Sequence, residues 1–267
     1  MSDGDATSPD GSTPRAGTGL LDGKVAIVYG AAGGIGGGVA RAFAREGARV
    51  VLAGRTRATL DALADDIRAA GGSVDTAVVD ALDAEAVDRF VDGVVSTAGR
   101  IDVSFNLIGV GDVQRPLMDL RPEEFTQPIT TATRTHFITT KAAARHMIAQ
   151  RTGVILAFGG GGTQTVRGIG GFKVALDAVE SLRRQWAVEL GAYGIRFVTL
   201  KTGGIPETIP PNMDGRAEIV ESIERSTLLG RAATLADVGA VAAFIASDAA
   251  GTMTAADVNI SAGAIMD

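Results

Sequence analysis

The sequence predicts a single-domain α/β fold in which a doubly wound parallel sheet carries helices on both faces. Short runs rich in Val, Ile and Leu alternate along the chain with segments of helical apolar spacing, and strands buried on both faces have such continuous apolar runs. The 267 residues are 46% hydrophobic, which suffices for one large core. Glycines end many of these segments, as turns and helix C-caps favour.

The elements follow one another in a regular order. Short β-branched runs predict strands at 24–30, 49–54, 73–80, 103–109, 153–159, 195–200 and 257–261. Apolar residues at helical spacing predict helices at 37–47, 57–72, 84–99, 122–150, from 172 onward, and at 237–247. Alternation of this kind gives right-handed crossovers and places a binding site at the carboxyl ends of the strands.

Two segments fall outside this alternation. Residues 1–20 are polar and carry no apolar stretch of the kind a signal peptide needs, so we expect a flexible tail before a domain that spans 21–267. Residues 203–230 follow a strand and are polar, proline-rich and locally helical. That combination predicts a substrate lid over the site.

The composition excludes several classes of function. The net charge is −6 and no basic block is present, which argues against a nucleic acid or an anionic membrane as partner. The chain has no cysteine and only two histidines, which excludes thiolate chemistry and a histidine-rich metal site. No apolar run is long enough to span a bilayer. The sequence therefore predicts a cytoplasmic protein with a small-molecule substrate or ligand and no metal.

The first strand ends in a glycine-rich turn, YGAAGGIGGG, in which Gly30, Gly34 and Gly36 lead straight into a helix. Glycines let the backbone turn tightly and approach a pyrophosphate closely. The free N–H groups of the helix N-terminus then face the phosphates. The turn therefore predicts a dinucleotide site.

The end of the second strand predicts which dinucleotide binds. An NAD site needs a carboxylate here for the ribose hydroxyls, but Ala53 and Gly54 occupy these positions. Arg55 follows at once and Arg57 is near. Because a guanidinium suits a 2′-phosphate by charge and by its fork of donors, NADP(H) is favoured over NAD(H).

Several motifs together resemble the short-chain dehydrogenase/reductase family over nearly the whole chain after Leu21. They are YGAAGGIG (29–36), LAGR (52–55), VVDALD (78–83), FNLIG (105–109), VELGAYGIR (188–196) and ASD…NISAG (246–263). The resemblance implies a Rossmann-type domain that binds NAD or NADP and usually forms a homodimer or homotetramer.

The resemblance also implies roles for residues around the cofactor. These are Gly30, Gly34, Ile35 and Gly36 at the pyrophosphate, Asp80 at the adenine amino group, and Asn106 and Gly109 along the cofactor. Leu107 replaces the second asparagine of the family's N-N-A-G motif, so the match is incomplete there.

The family's catalytic tyrosine and lysine can be aligned in two ways. If Lys173 is the lysine, Ile169 takes the tyrosine position, and three residues too many remain before VELG. The alternative places Phe172 and Leu176 at the two positions with the family's spacing. It also forms one apolar helical stripe of Phe172, Leu176, Val179, Leu182 and Trp186. We adopt the second alignment because length and periodicity agree.

The family's serine and asparagine positions are also substituted in this alignment. By resemblance they fall on Gly160 and Ala132. The usual proton donor, its tuning lysine and the two polar partners are then all missing, and the family mechanism cannot run as usually written.

Four residues are candidate substitutes for the lost groups. Lys201 ends a strand near the expected nicotinamide region and is the best surviving ionisable group. Lys173 follows Phe172 by about 100° around the helix and should face away. His136 lies one turn past Ala132, and Gln164 follows the glycine run in a loop. Each of the four also has a structural interpretation.

Three hypotheses about function fit these features. The first is a divergent NADP(H)-dependent oxidoreductase that acts on a small organic molecule by an atypical mechanism, and fold analogy favours it. The second is a non-redox isomerase, dehydratase or cyclase on the same scaffold. The third is a catalytically silent nucleotide-binding regulator or partner. The substituted catalytic positions count against the ordinary form of the first, so enzymatic activity itself remains a hypothesis.

Overall fold

The computed structural model describes residues 19–159, 165 and 167–266, so most of the predicted tail lies outside the described residues. The chain forms one parallel sheet of seven strands in the order β3-β2-β1-β4-β5-β6-β7. The strands are β1 (Val25–Tyr29), β2 (Arg49–Gly54), β3 (Ser73–Val78), β4 (Val103–Asn106), β5 (Gly153–Phe158), β6 (Ile195–Lys201) and β7 (Ala256–Asn259). The helices are α1 (Gly34–Arg45), α2 (Arg57–Ala69), α3 (Ala84–Ala98), α4 (Pro122–Gln150), α5 (Gly170–Leu190), α6 (Arg216–Arg225) and α7 (Leu235–Ala246). The predicted fold class is confirmed.

Two apolar cores lie on the two faces of the sheet. One contains Val28 of β1 together with buried residues of α1, α2 and α7. The other contains Ile27 together with buried residues of α3, α4 and α5. Successive residues of a strand point to opposite faces, so a continuous apolar strand supplies both cores at once.

The observed bounds differ from the prediction at two places that matter for the site. Helix α1 begins at Gly34 instead of 37. The sequence pattern did not predict this first turn, because its glycines carry no side chains that could contribute to an apolar pattern. Strand β4 ends at Asn106 instead of 109. Its neighbour β1 ends opposite, at Tyr29, so on that side the ladder has no partner strand beyond this point.

Helix α5 buries a different face from the predicted stripe. The buried residues are Gly171, Ala175, Val179, Arg183, Ala187 and Leu190. Of the predicted stripe only Val179 is fully buried, and the larger side chains Phe172 and Trp186 are half-buried. Small residues occupy the closest approach to α4, where a Cβ added at Gly171 would lie 2.7 Å from the carbonyl oxygen of Phe125. Backbones can approach so closely only where side chains are small.

Residues 203–230 contain a short 3₁₀ turn (Pro206–Thr208) and helix α6. Contacts that tie the segment to the domain include the following three. The Glu207 carboxylate accepts a hydrogen bond from the Leu235 amide (2.6 Å), the Leu228 amide donates to the Ala262 carbonyl (3.0 Å), and the Thr208 side chain lies beside Gly34. The segment therefore borders the glycine turn, and its role as a lid stays a prediction. Across the described part of the chain, no helix is both long and apolar enough to cross a membrane.

Candidate active site

The glycine turn between β1 and α1 is built so tightly that two of its glycines cannot be replaced. Gly30 has φ +71°, and an added Cβ there would overlap the Leu107 carbonyl group. A Cβ at Gly36 would overlap the Gly30 carbonyl group. These contacts bring the start of α1 down onto the end of β1.

The N-terminus of α1 is open for a ligand. Its cap is Gly33, which has no side chain to accept from the first helical amides. Those amides belong to Gly34, Ile35 and Gly36, and a helix N-terminus of this kind attracts anions. Gly34 is exposed, while the Ile35 side chain packs against the core. The cradle fits a pyrophosphate group.

A cavity of about 440 Å³ extends from this turn along the carboxyl ends of β1, β2 and β4. Its walls bring together four of the residues predicted to bind the cofactor, namely Gly30, Arg55, Asp80 and Gly109. They come from four separate stretches of the chain, and the parallel sheet sets their ends side by side.

Arg55 and Arg57 differ in their partners. Arg57 donates to the Thr76 hydroxyl (3.0 Å) and lies 3.7 Å from the Asp61 carboxylate. Arg55 is exposed at the cavity wall and forms no hydrogen bond or ion pair with any residue that the structure describes. Of these two described arginines, Arg55 is therefore the one that offers an unpaired guanidinium to a ligand.

The other two predicted cofactor residues have distinct surroundings. Asp80 is exposed, and its carboxylate accepts a hydrogen bond from the Leu82 amide (3.0 Å). Asn106 is buried: its amide nitrogen donates to the Thr139 hydroxyl (3.2 Å), and its amide oxygen accepts from the Ile108 amide (3.1 Å). Asn106 thereby fixes the turn after β4 that forms one wall of the cavity.

At the neighbouring strand end, α5 contributes apolar side chains. Leu176 lies against Gly159, which follows β5 with φ +142°, and a Cβ added at Gly159 would lie 2.7 Å from Leu176 Cδ2. Phe172 is half-buried one turn earlier on the same helix. Residue 176 therefore points at the carboxyl end of β5. Gly160 and Gln164 lie outside the described residues.

The two candidate lysines are both held in ion pairs. Lys173 Nζ lies 2.6 Å from Asp177 Oδ2 on the same helix. Lys201 is fully buried, and its Nζ lies 2.6 Å from Asp257 Oδ2 on β7. The hydrogen bond from Lys201 lowers the pKa of the Asp257 carboxyl. These pairs favour the structural interpretation of both lysines.

His136 is buried on α4, one turn from the buried Ala132. Its Nδ1 lies 2.9 Å from the Ala132 carbonyl oxygen. Because a carbonyl can only accept, Nδ1 carries the proton. Nε2 is enclosed without a hydrogen-bond partner among the described residues. Burial lowers the pKa of His136 to about 4, so the imidazole is neutral near pH 7.

A polar stripe on α4, which was not predicted from the sequence, lines the cavity. Gln127, Thr131 and Thr135 all contribute to its wall. Their spacing of four residues places them on one helical face. A polar i, i+4, i+8 pattern on this helix was the signal that could have revealed them.

Comparisons with known proteins agree with this arrangement. A family described as enoyl-(acyl carrier protein) reductase matches residues 30–264. Secoisolariciresinol dehydrogenase of Forsythia intermedia is 32% identical, covering 86% of this chain and 84% of that protein. A hexahydroindene-carboxyl-CoA reductase of Mycobacterium tuberculosis is 31% identical, covering 92% and 95%.

A solved structure shares the architecture. The crystal structure of a metagenomic short-chain oxidoreductase in complex with NADP has a TM-score of 0.74 and 27% identity, covering 91% of this chain and 98% of that one. Given this likeness, the family match and the relatives above, the chain belongs to the short-chain dehydrogenase/reductase family, whose members are oxidoreductases that act on small molecules with NAD(P) cofactors.

Proposed function

We propose that this protein is an NADP(H)-dependent oxidoreductase that acts on a small organic molecule without the family's usual proton donor. The observation that carries the proposal is the cavity in which the glycine turn, the unpaired Arg55 and Asp80 meet. When bound, the dinucleotide supplies or accepts a hydride.

The residues around the cavity fit such a cofactor. The open N-terminus of α1 would hold the pyrophosphate, and Arg55 would hold the 2′-phosphate. Asp80 would accept from the adenine amino group, while Asn106 and Gly109 shape the wall after β4. The solved relative with bound NADP supports this choice by analogy.

The chemistry at α5 would differ from the usual family mechanism. Phe172 has no proton to give, and Leu176 can neither hold a ribose hydroxyl nor lower the pKa of a phenol. Lys173 and Lys201 are committed to carboxylates. The substrate is therefore one that needs no proton from a protein tyrosine, such as an activated alkene or an iminium ion.

Arg55→Ala should weaken NADPH binding about tenfold and leave NADH binding unchanged, because it removes a charged donor to the 2′-phosphate. Arg57→Ala is the matched control, since its guanidinium is already bound to Thr76 and lies near Asp61. Calorimetric titration of both cofactors on the three proteins measures this. Equal affinities of the wild type for NADPH and NADH would contradict the assignment.

We also infer that the protein is a homodimer or homotetramer built on α4 and α5. Phe137 and Trp186 stack at the outer face of this layer with ring centroids 5.7 Å apart, and Phe137 is 46% exposed. Ile129 and Leu182 line an apolar groove beside them. A partner that covers this face would bury it.

Light scattering should therefore give a mass of two or four chains. Phe137→Glu should shift the mass to that of one chain, because the new charge would be buried without a partner. Met118→Glu, in an exposed loop, is the control and should leave the assembly intact. A wild-type mass of one chain would refute the inference.

A further inference from the structure

The α4 wall of the cavity carries a hydroxyl group whose orientation is fixed by a neighbouring amide. Gln127 Nε2 donates to the Val110 carbonyl oxygen (3.0 Å) and to Thr131 Oγ1 (3.2 Å). Because a carbonyl oxygen can only accept, the Gln127 atom beside Val110 is the amide nitrogen. The Thr131 oxygen therefore accepts from Gln127, and the Thr131 hydroxyl proton is directed elsewhere.

Thr131 differs in this respect from other threonines of α4. Those that donate to a backbone carbonyl oxygen three or four residues earlier are Thr126, Thr133, Thr135 and Thr139. Thr131 donates to no residue that the structure describes. It is only partly buried and lines the cavity, so its proton is within reach of a ligand there.

Helix α4 approaches the turn after β3 close to Thr131. The Arg134 guanidinium donates to the Leu82 carbonyl oxygen (3.4 Å), and residues three apart on a helix lie on the same side of it. Asp80, Leu82 and Thr131 all line the same cavity. A base held by the Asp80 carboxylate would therefore have the Thr131 hydroxyl as a neighbour.

The two side chains complement one edge of adenine. The Asp80 carboxylate accepts and the Thr131 hydroxyl donates, while the amino group of adenine donates and the adjacent N1 accepts. The Leu82 amide is already bonded to the Asp80 carboxylate (3.0 Å). Hypoxanthine has an oxygen in place of the amino group and a hydrogen on N1, so both side chains would face the wrong partner. A polar group left without its partner disfavours binding of that base.

We propose that Thr131, oriented by Gln127, selects adenine as the base of the cofactor by donating a hydrogen bond to N1. This inference rests on the proposed function and adds a specificity determinant to its cofactor site. Thr131 would contact the ligand, and Gln127 would act through Thr131 as a positioning residue. The effect is on binding and is separate from hydride transfer at the nicotinamide.

The test compares NADPH with its hypoxanthine analogue by calorimetric titration. The wild type should bind NADPH at least about tenfold more tightly, since two hydrogen bonds distinguish the bases. Thr131→Val keeps the shape of the side chain without its hydroxyl, and it should lower this preference about threefold or more. Thr126→Val is the matched control, because the Thr126 hydroxyl is exposed and donates within the helix.

Gln127→Glu tests the direction of the hydrogen bond. A carboxylate can only accept, so it would take the Thr131 proton and leave the Thr131 oxygen facing the base. The hypoxanthine analogue, whose N1 carries a hydrogen, should then bind more tightly than it does to the wild type, while NADPH should bind more weakly. A merely structural role of Gln127 would weaken both ligands alike.

Circular dichroism reports whether each variant is folded. No base preference in the wild type, or an unchanged preference in folded Thr131→Val, would overturn the inference. Titrating NADH and its hypoxanthine analogue in parallel separates it from the proposed function. A Thr131-dependent preference with equal affinities for NADPH and NADH would leave the inference standing and reject the choice of NADP(H). Tighter binding of NADPH than of NADH without any base preference would do the reverse, and a wild type that binds none of the four would overturn both.

Discussion

The wild-type protein should leave NADPH nearly unoxidised when it is given a plain ketone or a 3-oxoacyl thioester. At the positions that the proposed alignment assigns to the tyrosine and lysine, Phe172 has no proton to donate and Leu176 has no ammonium to tune one. Loss of a general acid typically costs about 10²–10⁴ in rate, and loss of a donor to the carbonyl oxygen costs about 10²–10³ more. NADPH should still bind, because Arg55 and the glycine turn are separate from α5.

Rebuilding the site should restore activity only when its parts are combined. Phe172→Tyr alone should restore little, because Leu176 leaves the new phenol near its ordinary pKa of about 10. Adding Leu176→Lys directs an ammonium toward Gly159, where the Leu176 side chain now lies, and Gly160→Ser adds a hydroxyl. The triple variant should exceed every single variant, since such residues act as a unit.

The control for this series is Lys173→Ala. It should have no effect on the rebuilt activity, because Lys173 is bound to Asp177. Robust turnover of a plain ketone by the wild type, lost in Lys173→Ala, would support the alternative alignment with Ile169 in the tyrosine position.

The free energy of unfolding should fall by about 3 kcal/mol as the pH is lowered from about 6.5 to about 4, through His136 alone. Its pKa is about 4 in the folded protein and about 6.5 in the unfolded chain. Between these two pH values the unfolded chain therefore binds a proton at His136 that the folded protein does not bind. The stability that the neutral imidazole provides is complete above the unfolded pKa and is lost as the pH falls through this window.

Urea denaturation across this pH range measures the effect, with His136→Leu as the test variant. That variant should lose the slope between pH 6.5 and pH 4, because it has no group to titrate there. Thr140→Val, equally buried one turn further along α4, should run parallel to the wild type. An unchanged slope in His136→Leu would contradict the assignment.

Two carboxyls, those of Asp248 and Asp257, titrate below the pH range in which His136 acts. Hydrogen bonds from Lys24 and Lys201 lower the pKa of the Asp248 and Asp257 carboxyls, respectively, below their ordinary value. The stability that these two carboxylates contribute is present above the unfolded pKa of about 3.9 and is lost only at lower pH. Their effect therefore begins where that of His136 ends.

The fold could be predicted almost entirely from the sequence. Each predicted strand is present, with β2 at the expected bounds and α4 matching 122–150. The reason is local: a strand buried on both faces has a continuous apolar run, and a covering helix has a periodic one. The glycine turn was equally visible, because the conformation at Gly30 and the contact at Gly36 leave no room for another residue type.

Only the tertiary structure decided which charged side chains form hydrogen bonds or ion pairs with residues from distant parts of the chain. Sequence spacing favoured Arg55 for the 2′-phosphate but could not show that Arg57 is bound to Thr76. It ranked Lys201 first among the surviving ionisable groups, although that ammonium is bound to Asp257 on the next strand. The sequence determined the sheet, its helices and the dinucleotide turn, because patterns of burial and backbone conformation are local properties. Folding decided which charges are neutralised and which remain for a ligand, because an ion pair depends on a distance of a few ångströms between residues that the sequence alone does not bring together.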